Sequence, residues 1–116
     1  MREDGKIDYI EWPAGDLPAT KAFYTAAFGW TFVDYGPDYV AFEGQGADGG
    51  FFRPEAESPK PLVVLYAHDL EAMLDKVTAA GGVITAPIFS FPGGRRFHFT
   101  DPGGNELAVW STTGVE

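Results

Sequence analysis

The chain repeats itself. Residues 16–29, DLPATKAFYTAAFG, lie over residues 69–82, DLEAMLDKVTAAGG, without a gap and at an offset of 53. Identities fall at Asp16/Asp69, Leu17/Leu70, Ala19/Ala72, Thr25/Thr78, Ala26/Ala79, Ala27/Ala80 and Gly29/Gly82, seven of the fourteen positions. Such a repeat inside 116 residues constrains the fold more than composition does. Each copy must build the same supersecondary unit, and neither can bury its apolar side alone.

Each copy reads as a helix. Asp16 and Asp69 are N-cap residues, whose short carboxylates accept from the free N–H groups of a first turn. Pro18 falls in that turn, where a missing N–H costs little. Gly29 and Gly81-Gly82 supply the C-terminal stops. Leu17, Phe23, Ala27 and Phe28 are expected on one buried face, and Leu70, Met73, Leu74 and Val77 likewise.

Strand signals surround both helices. Before them stand IDYIEW (7–12) and PLVVLYA (61–67). After the first come WTFVDYG, DYVAFEG and GGFF; after the second come GVITA, RRFHFT and NELAVW. The Pro-rich stretch 53–61, RPEAESPKP, has no periodicity and reads as a linker. The expected organisation is one domain of two tandem βαβββ modules, the first about 5–53 and the second about 61–113.

Composition removes several classes of function. The chain has no cysteine, so disulfides, thiol chemistry and thiolate-bound metals are excluded. No apolar run approaches the ~20 residues of a membrane helix. The start, MREDGK, does not read as a secretory leader, so a cytoplasmic protein without membrane partners is expected. A net charge of −9 repels phosphate backbones, which argues against nucleic acid and favours neutral or cationic small molecules.

The tandem pattern, with D-L-x-x-x-K-A-F-Y-x-x-x-F-G-W (16–30) and F-T-D-P-G-G-N-E-L (99–107), resembles the vicinal oxygen chelate superfamily. That superfamily includes glyoxalase I, bleomycin-binding proteins, fosfomycin-resistance enzymes and extradiol dioxygenases. The resemblance implies an α+β fold whose two modules form an open, partly closed, eight-stranded barrel-like sheet with helices outside. It also implies a concave cleft between the modules, and a homodimer.

Strand alternation then sorts the faces. Leu107, Val109, Phe97, Phe99, Ile10, Trp12, Val63 and Leu65 are expected toward the helices. Tyr9, Glu11, Leu62, Val64, Tyr66, Arg96, His98, Thr100, Glu106, Ala108 and Trp110 are expected on the concave side.

Metal-dependent members of the family are similar to this chain in layout but not in ligands. Their first-strand histidine positions correspond to Tyr9 and Leu62, and their last-strand glutamate to Ala108. The equivalent place in the first half, near Gly50-Phe51-Phe52, has nothing that ligates. The expectation is therefore no metal and no cofactor.

Eight residues are left as ligand-binding candidates: Tyr9, Glu11, Tyr39, Tyr66, Arg96, His98, Glu106 and Trp110. His98 and Glu11 are the candidates for general acid/base work, since imidazole titrates near neutral pH. The alternative is a structural His98 bonded to Glu11 or Glu106. The aromatic set suits flat or cationic ligands by stacking and cation–π contact. Arg96 either meets a ligand carboxylate or pairs with a surface acid. His68 reads as an exposed turn residue, and Ser90, Ser111 and Thr112 lack a base partner for nucleophilic catalysis.

These readings point to a small-molecule-binding protein without metal, of unspecified reaction. Two alternatives stand beside it: a divalent-metal lyase or isomerase of the glyoxalase type, and a ligand-free structural or regulatory dimer.

Overall fold

The computed structural model describes residues 2–55 and 60–112. The described residues form eight strands and two helices in an α+β fold. The order is β1 (Ile7–Pro13), α1 (Leu17–Phe28), β2 (Val33–Asp34), β3 (Tyr39–Gln45), β4 (Ala47–Phe52), β5 (Leu62–Tyr66), α2 (Leu70–Ala79), β6 (Val83–Phe91), β7 (Gly94–Thr100) and β8 (Glu106–Ser111). This is the duplicated βαβββ pattern that the internal repeat implies. Residues 56–59 of the expected linker, and residue 113, lie outside the described residues. Among the described residues no helix is long and apolar enough to cross a membrane. The chain divides into two compact units, residues 9–62 and residues 63 onward together with the first eight.

In the first unit the strand order is β2-β3-β4-β1, with β1 parallel and β3 antiparallel to β4. Strand β2 has two residues, shorter than the 30–36 pattern suggests. Trp30 and Phe32 instead pack into the helix-side core. That core is built on Leu17, Val40, Phe42 and Phe51 and is mainly aromatic. Ring centroids lie 4.7 Å apart for Trp30–Phe42 and 4.8 Å for Tyr24–Trp30. Such pairs add about 0.5–1.5 kcal/mol beyond area burial.

Helix α1 begins and ends as its sequence dictates. Asp16 Oδ1 accepts from the Ala19 amide at 2.9 Å. Gly29, at φ 74°, turns the chain out while its N–H bonds Thr25 O. The expected buried face needs correction: Leu17 is buried, but Phe23 is 59% and Phe28 63% exposed, and Ala27 is exposed. The true stripe runs from Leu17 to Tyr24, seven residues and two turns on, and Phe23 sits 100° away from it. Phe28 leans on Tyr24 and Trp30, at 6.0 and 6.4 Å, and leaves much of its ring in water.

In the second unit the order is β5-β8-β7-β6, with β5 parallel to β8 and β7 antiparallel to both its neighbours. Asp69 caps α2 through Ala72 N at 3.0 Å. At its far end Gly81, at φ 103°, lets the Gly82 N–H reach back to Val77 O at 2.9 Å. The core joins Ala67, Leu70, Phe97, Phe99 and Val109, with Met73, Leu74, Val77, Leu65 and Leu107 packed on it. Here the helix face is the one the spacing predicts. Strand β5 differs in degree: Val64 and Tyr66 are more fully buried than Val63 and Leu65. Tyr66 is bordered by Gly5 and Lys6 on one side and covered by the rings of His68 and Trp110.

The turn between β7 and β8 is built on Asp101. Its Oδ1 accepts from the amides of Gly103 and Asn105, both at 2.9 Å, and Gly104 takes φ 85°. The Asn105 amide, first among these contacts, holds the Asp101 carboxyl below the usual carboxylate range.

Candidate functional site

Three candidates meet in the first unit. Tyr9 and Glu11 stand two apart on β1, so alternation puts them on the face opposite Trp12. Tyr39 opens β3 and reaches over β4 toward them. It does so because Gly50, paired with Glu11 in β4, has no side chain; a Cβ there would collide with the Tyr39 hydroxyl. Tyr39 Oη donates to Glu11 Oε2 at 2.9 Å, and the Tyr9 and Tyr39 hydroxyls lie 2.6 Å apart. Glu11 is 9% exposed.

A phenol has one proton to give. Tyr39 gives its proton to Glu11, so Tyr9 must be the donor in the phenol–phenol bond. The chain therefore runs Tyr9 to Tyr39 to Glu11, and the Tyr9 oxygen at its outer end is left with accepting capacity. Burial raises the Tyr39 hydroxyl far above the usual phenol range, helped by the Glu11 charge and by the bond Tyr39 donates to Glu11. Burial also raises Tyr9, and the charges of Glu11 and Asp48 add to it. Both phenols thus stay protonated across the physiological range.

The second unit gathers the other five in two groups. Cross-strand neighbours Arg96 and Trp110, and His98 and Ala108, share one face of β7 and β8. His98 packs its ring on Phe89 at 5.7 Å, with Nδ1 3.5 Å from Glu106 Oε2. Glu106 also accepts from Thr85 Oγ1 at 3.1 Å. Of the two partners weighed for His98, the structure puts Glu106 beside it. The Arg96 guanidinium lies over Phe89 and Phe91, at 5.5 and 5.4 Å.

Tyr66 and Trp110 form the second group, edge to face at 5.5 Å. The Tyr66 hydroxyl is 3.2 Å from Thr112 Oγ1 and 3.4 Å from His68 Nδ1. His68 is exposed as expected, yet its carbonyl accepts from Ser111 Oγ and its amide bonds Asp4. Ser111 is thereby a buried structural donor.

Two residues that sequence reasoning passed over enter here. Asp8 Oδ2 accepts from Trp110 Nε1 at 2.9 Å and from Arg2 Nε at 3.2 Å, and the Arg2 guanidinium lies 4.9 Å above the Trp110 ring. Nothing local marks a pairing across 102 residues.

The residues that the resemblance puts at metal-ligand positions do not fit a divalent ion. The Tyr9 hydroxyl is engaged by Tyr39, while Leu62 and Ala108 are apolar and buried. Among the described residues no three His, Asp or Glu side chains gather closely enough to hold one. A shallow depression of about 390 Å³ lies on the helix side of the first unit, between Leu17, Pro18, Lys21, Asp34 and Pro37. It is on the other face of β3 from Tyr39.

A family model described as Glyoxalase/Bleomycin resistance protein/Dioxygenase superfamily matches residues 6–109. The chain is 28% identical over 118 residues to CFP32 of Mycobacterium bovis, which bears a provisional name as a glyoxylase; 91% of this chain and 45% of that protein are covered. It is 32% identical to the anthracycline biosynthesis protein DauV of a Streptomyces species, over 82% of this chain and 42% of that one. The chain thus spans less than half the length of these curated relatives. A Mn(II)-bound glyoxalase from Novosphingobium aromaticivorans aligns with TM-score 0.73 and 25% identity, over 97% of this chain and 40% of that one. Methylmalonyl-CoA epimerase from Mycobacterium tuberculosis shares the fold, with TM-score 0.76 at 14% identity over 95% and 89% of the two chains.

Proposed function

Because the chain belongs to the glyoxalase/bleomycin resistance/dioxygenase superfamily, we propose that it is a metal-independent member binding a small, flat ligand that carries a hydrogen-bond-donating cationic group. The observation that carries this is the Tyr9–Tyr39–Glu11 chain, standing where metal-dependent relatives place a ligating histidine. Its polarity leaves an accepting oxygen at Tyr9, with the charges of Glu11 and Asp48 nearby. Such an end suits an ammonium or other N–H donor and repels a carboxylate. The net charge of −9 draws cations to the surface in the same sense. A relative named for anthracycline biosynthesis is in keeping with a flat ring system as the remainder of the ligand.

The likeness to a Mn(II)-bound glyoxalase favours a second reading, a divalent-metal lyase or isomerase. It would need donors where Tyr9, Leu62 and Ala108 stand. One experiment separates the two. Elemental analysis of purified protein is expected to find no stoichiometric metal, and thermal shift is expected to respond to aryl ammonium compounds and not to aryl carboxylates. Close to one Mn, Ni, Zn or Fe per chain would overturn the proposal in favour of the metal enzyme. We extend the reading to a homodimer, as the family resemblance implies; a sedimentation mass near 12.6 kDa would count against it.

A further inference from the structure

The second unit contains a cation-binding arrangement that does not depend on the Tyr9 network. One oxygen of Asp8 accepts from both the Trp110 indole N–H, at 2.9 Å, and the Arg2 guanidinium, at 3.2 Å. The guanidinium carbon lies 4.9 Å from the centroid of the same indole. Tyr66 stands edge-on to that ring at 5.5 Å and Phe91 lies 6.2 Å from it. A carboxylate held at the N–H edge of a tryptophan, next to the open ring face and with aromatic neighbours, is the chemistry that recognises a planar cation.

The occupant is weakly held and its host is firmly held. The Arg2 side chain is 50% exposed, whereas that of Asp8 is 19% exposed. Exposed pairs of this kind gain little, because water competes for both charges. The stretch that carries Asp8 is tied to the segment around Tyr66 by three bonds and closed on itself by a fourth. Gly5 N donates to Tyr66 O at 2.8 Å, Tyr66 N to Lys6 O at 3.2 Å, His68 N to Asp4 Oδ1 at 2.8 Å, and Lys6 N to Glu3 O at 3.3 Å. Arg2 lies just outside this anchored turn, so its side chain can leave while Asp8, Tyr66 and Trp110 stay in place.

We infer that Asp8 and the face of Trp110 form a site for the guanidinium or amidinium group of a ligand, and that Arg2 is its internal stand-in, displaced when the ligand binds. Arg2 then sets the apparent affinity. If it fills the site about nine-tenths of the time, its removal raises affinity for a competing cation about tenfold.

The test is titration of the full chain with benzamidinium, followed at the Trp110 indole N–H resonance, which Trp110→Phe identifies. The expected result is saturable displacement in the wild type, about tenfold tighter binding in Arg2→Ala, and at least tenfold weaker binding in Arg2→Ala with Asp8→Asn. Asp8→Asn retains an oxygen for the indole, and melting curves of each variant confirm that the fold persists. Neutral benzamide is expected not to bind. The proposal is overturned if benzamidinium leaves the resonance unmoved, if Arg2→Ala binds no more tightly than wild type, or if benzamide binds equally well. Because Tyr9→Phe leaves these residues untouched, an unchanged benzamidinium titration in that variant separates this site from the one proposed above.

Discussion

Tyr39 donates its hydroxyl to Glu11 across 2.9 Å, although 28 residues and a whole strand, β4, separate them. The bond forms over Gly50, the one residue of β4 whose missing side chain leaves room for the phenol. A nearly buried carboxylate thereby receives a donor that no residue adjacent in sequence supplies.

Removing that donor should cost stability. Tyr39→Phe is expected to lower unfolding free energy by about 1–3 kcal/mol, since Glu11 loses one of the bonds that offset its burial. Tyr9→Phe should cost less, because Tyr9 only donates to the outer oxygen of Tyr39 and touches the carboxylate through it. Urea denaturation of the two variants checks the order; equal losses would contradict the directional chain.

Gly50→Ala should break the same link from the other side. Its methyl would displace the Tyr39 ring, at a cost of about 1–3 kcal/mol for overpacking. In the Tyr39→Phe background the added cost should be smaller, because the bond to Glu11 that the displaced ring would break is already absent, although the ring carbons beside the methyl remain. A double-mutant cycle reads this coupling, and strict additivity would show that the two residues act independently.

Stability should fall on the alkaline side for a specific reason. Burial raises both Tyr39 and Tyr9 in the folded state, so above the ordinary phenol range the unfolded chain loses protons that the folded chain keeps. A group raised in this way contributes fully below its unfolded value, near 10, and less as pH climbs beyond it. Melting temperature followed above about pH 10 should therefore drop more steeply in wild type than in Tyr39→Phe. Parallel curves would rule out the phenols as the cause.

His98→Ala is expected to cost about 1–2 kcal/mol, since the ring packs on Phe89 and adjoins Glu106. The fold should persist, because Phe97 and Phe99 hold the helix side of β7. The response to aryl ammonium compounds should be unchanged, as the accepting oxygen proposed for them belongs to Tyr9. An altered ligand profile at unaltered stability would instead make His98 a contact residue.

The repeat, the caps and the strand faces were legible in the sequence because they rest on local geometry. An aspartate accepts from an amide three residues on, and a glycine turns a helix out at its own position, wherever the chain goes next. Period-two alternation placed Phe97, Phe99 and Val109 on the helix side, and the spacing of Leu70, Met73, Leu74 and Val77 named the buried stripe of α2. In α1 the same reasoning erred at Phe23, because that helix is apolar nearly all round and its sequence does not mark which side meets the sheet, and at Phe28, which lies on the buried stripe but ends the helix with much of its ring exposed. The contacts that give the candidate sites their chemistry were not legible. Tyr39 meets Glu11 only because β4 lies between their strands and is bare at Gly50, and Trp110 meets Asp8 across 102 residues. Strand order and side-chain reach decide such meetings, and neither is a property of any short stretch of the chain.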